Sequence, residues 1–383
     1  MDLEFKYPDK PKAELNSSLL VFKLLNNPLI VNISSKATLL ALKIGLPISF
    51  AIKHTIFKHF CGGETLQESV KVIEKLGKDK ICSTLDYSAE SVDSTKFFDK
   101  TKKEILKAID FVKDNAFVKS LAVKPTGLAS SGLLMKKSNL DELTANESDQ
   151  YSSAIGRIDQ ICNAGHEHGI DIYIDAEEST IQKALDDISI DMMKKYNQEK
   201  AVVYITLQMY RKDRLAFLEE LIGMAIRDQY YLGVKLVRGA YWEKERKRDS
   251  RNKERDIVFL KKEDTDSAFN RAIDVCMENL DALHICNATH NEESSRHLAS
   301  AMSKKNIPND YHAIQFSQLY GMSDHISYSL AKAGYNVSKY LPYGAVKQVI
   351  PYLIRRAEEN KAISGQMSRE AYLINQAIKS KNE

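Results

Sequence analysis

The sequence predicts an α/β protein, a (βα)8 barrel with a helical extension at its N-terminus. Eight short apolar runs rich in β-forming residues follow one another in the chain after residue 77, and helical patterns lie between most of them. Polar residues come directly after the runs. Strand–helix alternation repeated eight times indicates a closed barrel rather than an open sheet. A chain of 383 residues is long enough for one such barrel and an extension.

Most of the eight runs show little alternation of polar and apolar residues, which is typical of strands buried on both faces of a parallel sheet. The predicted strands are Lys80–Leu85, Val118–Val123, Ile170–Ile174, Ala201–Leu207, Gly233–Val237, Ala282–Asn287, His312–Phe316 and Asn336–Leu341. The predicted helices are Ser94–Asp114, Tyr151–His168, Thr180–Tyr196, Arg211–Gln229, Asp264–Asn279, Glu292–Lys304, Ser323–Ala333 and Ala345–Asn360.

The chain divides into three predicted parts: an N-terminal helical arm (1–76), the barrel (77–365) and a C-terminal helical tail (366–383). Residues 1–16 are charged and contain prolines, which predicts a loose start to the arm. The segment Leu19–Phe60 is amphipathic, so it either packs on the barrel or touches a membrane surface. Lys43, Pro47 and Lys53 interrupt its most apolar part, which argues against a membrane-spanning helix.

Composition excludes several classes of protein. The net charge of +3, from 55 basic and 52 acidic residues, gives no reason to expect a nucleic-acid partner. Five cysteines without a Cys-x-x-Cys pair argue against a disulfide framework or structural zinc, and favour a reducing compartment. The start Met-Asp-Leu-Glu lacks the basic region of a signal peptide. His166-Glu167-His168 precedes Gly169, which is more typical of a helix end than of a metal site, so no metal is expected.

Polar side chains at the strand ends predict one shared site, because the carboxyl ends of barrel strands converge on a single mouth. They are Asp86, Lys124, Asp175, Gln208, Arg238, His290, Gln318 and Tyr343, with Tyr340 inside the last run. Strand ends are often polar for other reasons, so the motifs within them matter more. No Gly-x-Gly-x-x-Gly follows a strand, which gives a Rossmann domain no support.

Two motifs carry specific chemistry. Arg355 and Arg356 form a pair of planar forks suited to a carboxylate, although an exposed helix would carry such a pair too. The segment 234–242 places Lys235 and Arg238 before a glycine and two aromatic residues. Glycine allows close approach of a cofactor, and cations stabilise an anionic reduced flavin. The alternative is a strand that ends in an ordinary glycine turn.

These residues resemble the signature blocks of the proline dehydrogenase family, in the same order along roughly residues 80–365. The blocks are Ile174-Asp-Ala-Glu-Glu178, Lys235-Leu-Val-Arg-Gly-Ala-Tyr-Trp242, Ala288-Thr-His-Asn291, Gln318-Leu-Tyr-Gly-Met322, Lys339-Tyr-Leu-Pro-Tyr-Gly344 and Tyr352-Leu-Ile-Arg-Arg-Ala-Glu-Glu-Asn360. The resemblance implies a distorted (βα)8 TIM-like barrel that binds FAD without a covalent bond at its mouth.

The resemblance also implies roles for individual residues. The substrate carboxylate would be held by Lys124, Arg355 and Arg356, and the substrate ring by Tyr241, Leu319, Tyr340 and Tyr352. The cofactor would contact Asp175, Ala176, Gln208, Lys235, Arg238, Gly239, Ala240, Trp242, Thr289, His290 and Asn291. Asp175 and Lys235 are the predicted catalytic residues. Many bacterial members carry arginine in place of Lys235, and a residue smaller than Tyr340 would suggest hydroxyproline as substrate.

The implied reaction is oxidation of L-proline to Δ1-pyrroline-5-carboxylate, with a hydride passing from C5 to flavin N5 and electrons then passing to a quinone. The chain is too short for a fused aldehyde dehydrogenase, so a separate pyrroline-5-carboxylate dehydrogenase would take the product towards glutamate. The expected location is cytoplasmic, peripheral on the bacterial inner membrane, or on the matrix side in a mitochondrion. The alternatives are another flavin barrel oxidoreductase of the folate-reductase kind and a non-catalytic membrane-associated scaffold.

Overall fold

Eight parallel strands form a closed barrel in chain order, with the first strand paired to the last. The computed structural model describes residues 3–27, 49–88, 93–251, 256–362 and 366–381, together with residues 31 and 38. The strands are β1 Ile81–Tyr87, β2 Val118–Val123, β3 Asp171–Ile174, β4 Val203–Gln208, β5 Leu232–Val237, β6 Leu283–Ala288, β7 Ile314–Leu319 and β8 Val337–Tyr343. The predicted barrel is therefore confirmed.

Helices surround the barrel and extend it at both ends of the chain. Those before and within the first half of the barrel are α1 Lys12–Leu25, α2 Ser49–Ile52, α3 Lys58–Phe60, α4 Leu66–Lys78, α5 Thr95–Val112, α6 Ser131–Asn139, α7 Ala145–His168 and α8 Ser179–Tyr196. The others are α9 Arg214–Asp228, α10 Trp242–Arg251, α11 Lys262–Glu278, α12 Glu292–Lys304, α13 Asp324–Lys332, α14 Val346–Ala362 and α15 Gln366–Ser380. A π-helical turn, Lys53–Phe57, joins α2 to α3.

Side-chain caps fix where several helices begin and end. Thr144 and Glu147 form a reciprocal capping box at the start of α7, six residues before its predicted beginning at Tyr151. Gly169 ends the same helix in a left-handed conformation, with φ of 65°. The two histidines before it therefore lie in the last turn, where a positive charge interacts favourably with the helix dipole.

The barrel interior is filled below the mouth. Thr84 shares hydrogen bonds with Ser120 at 2.7 Å and with Ser338 at 3.2 Å, and Ser338 reaches Ser317 at 3.1 Å. Buried aromatic and small residues occupy the neighbouring interior positions: Ala122, Tyr173, Ala201, Tyr204, Cys286 and Tyr340. Because side chains close the interior, the open space of this fold lies at the carboxyl ends of the strands.

A second apolar core lies beside the barrel and joins the two ends of the chain. Its buried members include Leu15 and Phe22 of α1, Phe60 of α3, Val349 of α14 and Ile374 of α15. The second core lies on the side of the barrel where the predicted site residues from the C-terminal part of the chain are found.

The prediction that residues 1–16 form a loose tail is wrong. Phe5 and Leu15 are buried, α1 begins at Lys12, and Lys10 lies 2.6 Å from the carboxylate of Asp324. Much of the predicted amphipathic segment, at 28–48, falls outside the described residues apart from 31 and 38. Within the ranges described, the structure has no helix long and apolar enough to cross a bilayer.

Candidate active site

The carboxyl ends of the strands surround a cavity of about 560 Å³, a volume typical of small-molecule sites. All residues to which the family resemblance assigned a role line it except Trp242, whereas Asp86 and Tyr343 of the strand-end set do not. The residues with an assigned role that line it are Lys124, Asp175, Ala176, Gln208, Lys235, Arg238, Gly239, Ala240, Tyr241, Thr289, His290, Asn291, Leu319, Tyr340, Tyr352, Arg355 and Arg356.

Trp242 begins α10 beside the cavity. Its indole N–H donates to the carbonyl of Phe259 at 2.8 Å, and Arg246 lies 4.8 Å from its ring centre. These contacts hold the side chain against the segment that follows α10. The structure therefore places Trp242 outside the lining, and its contact with a cofactor stays a prediction.

Asp175 is the centre of a hydrogen-bonded group at the barrel mouth. The Lys235 ammonium lies 2.5 Å from one carboxylate oxygen of Asp175, and the Tyr340 hydroxyl donates to the other at 2.9 Å. The same ammonium stands 5.1 Å from the Tyr340 ring centre and 5.4 Å from that of Tyr173. Three side chains from β5, β8 and the end of β3 are thereby fixed together, as a preorganised site requires.

Lys124 is paired with Asp86, a strand-end residue to which the prediction gave no specific role. Its ammonium lies 2.6 Å from both carboxylate oxygens of Asp86, whose side chain is only 1% exposed. Ser88 donates a further hydrogen bond to Asp86. Lys124 also lies 3.5 Å from the Tyr340 hydroxyl, which brings it close to the Asp175 group. The signal for Asp86 was its place at a strand end; its partner could not be identified from the sequence.

Glu177 is a second acidic residue that the prediction left out of the site. It lines the cavity, and Thr126 donates to it through its backbone N–H at 2.9 Å and its hydroxyl at 2.7 Å. Burial raises the pKa of Glu177, while these hydrogen bonds and the charges of Lys124 and Arg355 lower it. Glu177 thus adds a buried acidic side chain to the part of the cavity that holds the cations.

Helix α14 brings Tyr352, Arg355 and Arg356 to the cavity. Tyr352 and Arg356 are buried, and the Arg356 guanidinium lies 5.0 Å from the Tyr352 ring centre. The spacing of four residues places both on one side of the helix. The three cations Arg355, Arg356 and Lys124 therefore share one cavity, a set suited to a small anionic substrate.

The turn after β5 requires glycine. Gly239 has φ of 118°, and a Cβ atom there would lie 2.0 Å from the ring of Tyr210. Next to it, Arg238 contacts Asp266 at 2.7 Å, Thr289 at 2.6 Å and Ser294 at 3.0 Å. Glycine is therefore required by the packing of this turn against Tyr210, and the turn itself lines the cavity.

Donor groups next to this turn surround the start of α12. Asn291 caps the helix by accepting the N–H of Ser294 at 3.0 Å. His290 lies 2.9 Å from the Ser323 hydroxyl, and burial lowers the pKa of His290 to about 3. His290 is therefore a neutral imidazole at neutral pH.

The lining fits a flavin dinucleotide in two respects. Thr206 lines the cavity with a buried hydroxyl that has no hydrogen-bond partner among the residues described, so a ligand atom could satisfy it. Gly239 and its neighbour Ala240 offer backbone close to the cavity. Small residues, neutral donors and cations are what a polar ring system with phosphates requires.

The comparisons with known proteins agree with this geometry. A family model described as proline dehydrogenase matches residues 69–369. The carbapenem antibiotics biosynthesis protein CarD of Pectobacterium carotovorum subsp. carotovorum is 35% identical over 83% of this chain and 82% of its own length. Proline dehydrogenase 1, mitochondrial, of Dictyostelium discoideum is 30% identical over 99% of this chain and 74% of its own length.

Among solved structures, proline utilization A (PutA) from Bdellovibrio bacteriovorus inactivated by N-propargylglycine has the same fold, with a TM-score of 0.74 at 22% identity. The match covers 85% of this chain but 36% of that protein. The family model covers most of the chain, including every strand of the barrel and every predicted site residue. The chain belongs to the proline dehydrogenase family.

Proposed function

We propose that the protein oxidises L-proline to Δ1-pyrroline-5-carboxylate with FAD, the first step in converting proline to glutamate. The observation that carries the proposal is the meeting of three cations from α14 and β2 with the Asp175 group in one cavity. The flavin would supply the two-electron acceptor, at its N5, for the hydride from C5 of proline, while the amine releases its proton to form the C=N bond.

Lys124, Arg355 and Arg356 are the residues that would bind the proline carboxylate. Guanidinium forks match a carboxylate in two hydrogen bonds, which fixes orientation as well as position. Asp86 pairs with Lys124 and holds its ammonium in place. Holding the substrate in one orientation removes much of the entropy that the reaction would otherwise lose.

Tyr241, Leu319, Tyr340 and Tyr352 would enclose the apolar ring of proline. Tyr352 and Tyr340 are buried, and the Tyr340 hydroxyl is occupied by Asp175. The buried Tyr340 ring leaves less room at this wall than a smaller side chain would, which favours plain proline over hydroxyproline.

Lys235 and Asp175 are the proposed catalytic residues. A fixed ammonium near the flavin would stabilise negative charge as it develops on the reduced ring. Asp175 accepts from both Lys235 and Tyr340, so it orients that ammonium and the tyrosine together. Arg238 stabilises the turn after β5 through its contacts with Asp266 and Thr289.

Electrons would pass from the reduced flavin to a membrane quinone, with the segment 19–60 as the contact with the membrane. Its described part includes Leu20, Leu24 and Phe50, which are exposed apolar side chains. A relative named as mitochondrial favours a matrix-side location in a eukaryotic host. Replacing the exposed Leu20, Leu24 and Phe50 with serine should abolish sedimentation with lipid vesicles; unchanged sedimentation would remove this part of the proposal.

The experiment that tests the main proposal is the flavin absorbance of the purified protein, before and after adding substrate without oxygen. Bleaching by L-proline, but not by hydroxyproline or NADH, is the expected result. A flavin reduced by NADH instead would favour the folate-reductase alternative. A protein that binds no flavin would favour the non-catalytic scaffold.

A further inference from the structure

We propose that Arg369, on the C-terminal helix α15, is a further cofactor-binding residue that pairs with the phosphates of the dinucleotide. The inference rests on the proposed use of FAD and adds a residue outside the barrel to the site. It assigns to α15 a function in ligand binding beyond its packing against α1.

Arg369 lines the cavity, although α15 follows the last strand and helix of the barrel. Its Nε donates to the Glu292 carboxylate at 3.1 Å, and its side chain is 46% exposed. A guanidinium has five N–H donors in a fixed fork, and this contact uses one nitrogen. The planar end can therefore meet an anion in the cavity while Glu292 holds its position.

The charges along this wall favour an anion. Glu292 contacts two guanidiniums, Arg369 at 3.1 Å and Arg296 at 3.2 Å. Asp266 likewise contacts two cations, Arg238 at 2.7 Å and Lys262. Arg238, Lys262 and Arg369 all line the cavity. At each of two places along this wall, a single carboxylate is shared by two cations. Glu293 also lines this wall and offsets part of the excess, since it pairs with Arg296 at 2.7 Å. A diphosphate would complete the balance.

The residue after Arg369 fixes the helix in place. Glu370 is 1% exposed, and its carboxylate accepts the backbone N–H of Ser323 at 2.5 Å. Ser323 has a left-handed backbone, with φ of 50°, and its hydroxyl lies 2.9 Å from His290 of the cavity wall. One end of α15 is thus held both at the rim and at the loop after β7, which gives Arg369 a defined position.

The test is the affinity of the full-length apoprotein for FAD, measured from flavin fluorescence after the cofactor has been removed and added back. Arg369→Gln should raise the FAD dissociation constant about tenfold or more, the usual effect of losing a charge-assisted hydrogen bond. Arg296→Gln is the matched control, because Arg296 contacts the same carboxylate but does not line the cavity. Its affinity should stay at the wild-type value.

Two further measurements separate phosphate binding from a structural role. Added salt should weaken FAD binding less steeply in Arg369→Gln than in the wild type, because one ionic contact is gone. Arg369→Lys keeps the charge and should therefore bind FAD more tightly than Arg369→Gln. The proposal is overturned by equal FAD affinities of Arg369→Gln and Arg296→Gln, or by an equal loss in Arg369→Lys and Arg369→Gln. A wild-type protein that binds no FAD would instead overturn the proposed function.

Discussion

Replacing Lys235 with methionine should destabilise the protein, because Asp175 would lose its ion-pair partner in a buried place. The two groups are 2.5 Å apart, and their side chains are 7% and 15% exposed. Methionine has a similar length and keeps the apolar contacts of the lysine stem. The substitution therefore removes the charge with little change in packing.

The expected loss in the free energy of unfolding is about 2–4 kcal/mol. Breaking a buried ion pair at one partner costs about 3–5 kcal/mol, since the remaining charge is left uncompensated. Asp175 keeps the hydroxyl of Tyr340 at 2.9 Å, a hydrogen bond to a charged group that offsets part of this cost, about 1 kcal/mol. The lysine also lies over two tyrosine rings, and losing those contacts adds to the loss of stability.

The assay is urea unfolding of the apoprotein, followed by circular dichroism, for Lys235→Met, Asp175→Asn and the double variant. Removing both charges leaves no unpaired ion, so the double variant should recover most of the stability lost by the lysine variant. Lys235→Arg keeps the charge and serves as the control for packing.

A loss below about 0.5 kcal/mol would contradict this reasoning, since it is the range expected of an exposed pair. A double variant no more stable than Lys235→Met would show that lost packing, rather than an uncompensated carboxylate, is the cause. Either result would also weaken the assignment of Asp175 as the residue that orients the ammonium.

Three other outcomes are expected. Arg355→Met and Arg356→Met should each raise the KM for proline about tenfold or more while the flavin spectrum persists; normal kinetics in both would contradict carboxylate binding. Gly239→Ala should lose FAD on gel filtration, because its Cβ would lie 2.0 Å from Tyr210 and would displace the turn that lines the cavity; an unchanged flavin content would contradict the role of this turn in cofactor binding. A hydrogen bond from His325 lowers the pKa of Glu292 to about 2, below its unfolded value of about 4.3. The carboxylate of Glu292 therefore stabilises the fold above about pH 4.3, and this stabilisation is lost towards pH 2. The free energies of unfolding of wild type and Glu292→Gln, measured in urea, should therefore converge near pH 2. A difference that stays constant with pH would contradict this expectation.

The barrel could be predicted because strands buried on both faces appear as continuous apolar runs. Their ends were less accurate where the mouth is polar. Asp86, Gln208, Gln318 and Tyr343 lie within strands, although the sequence placed them just after the runs. A polar residue ends an apolar run in the sequence, but at a ligand-binding mouth it continues the strand.

The site residues could be predicted to meet, but not how they pair. Asp86 and Lys124 are 38 residues apart, and only the register of β1 and β2 brings them together. Lys10 meets Asp324 across 314 residues. Charge and proline near the N-terminus suggested a loose tail because nothing local reveals a distant partner. Such pairings depend on tertiary structure, which no sequence window contains.

The second core, which joins α1, α14 and α15, also constrains how the protein folds. Its earliest and latest elements are separated by nearly the whole chain, so α1 must wait for α15 to be synthesised before both can dock. Loop closure over such a distance slows folding. Until that step, the apolar faces around Phe22 and Ile374 stay exposed and prone to aggregation. Docking of α15 also brings Arg369 to the cavity, so the wall that Arg369 forms cannot be complete before the C-terminal helix has been made.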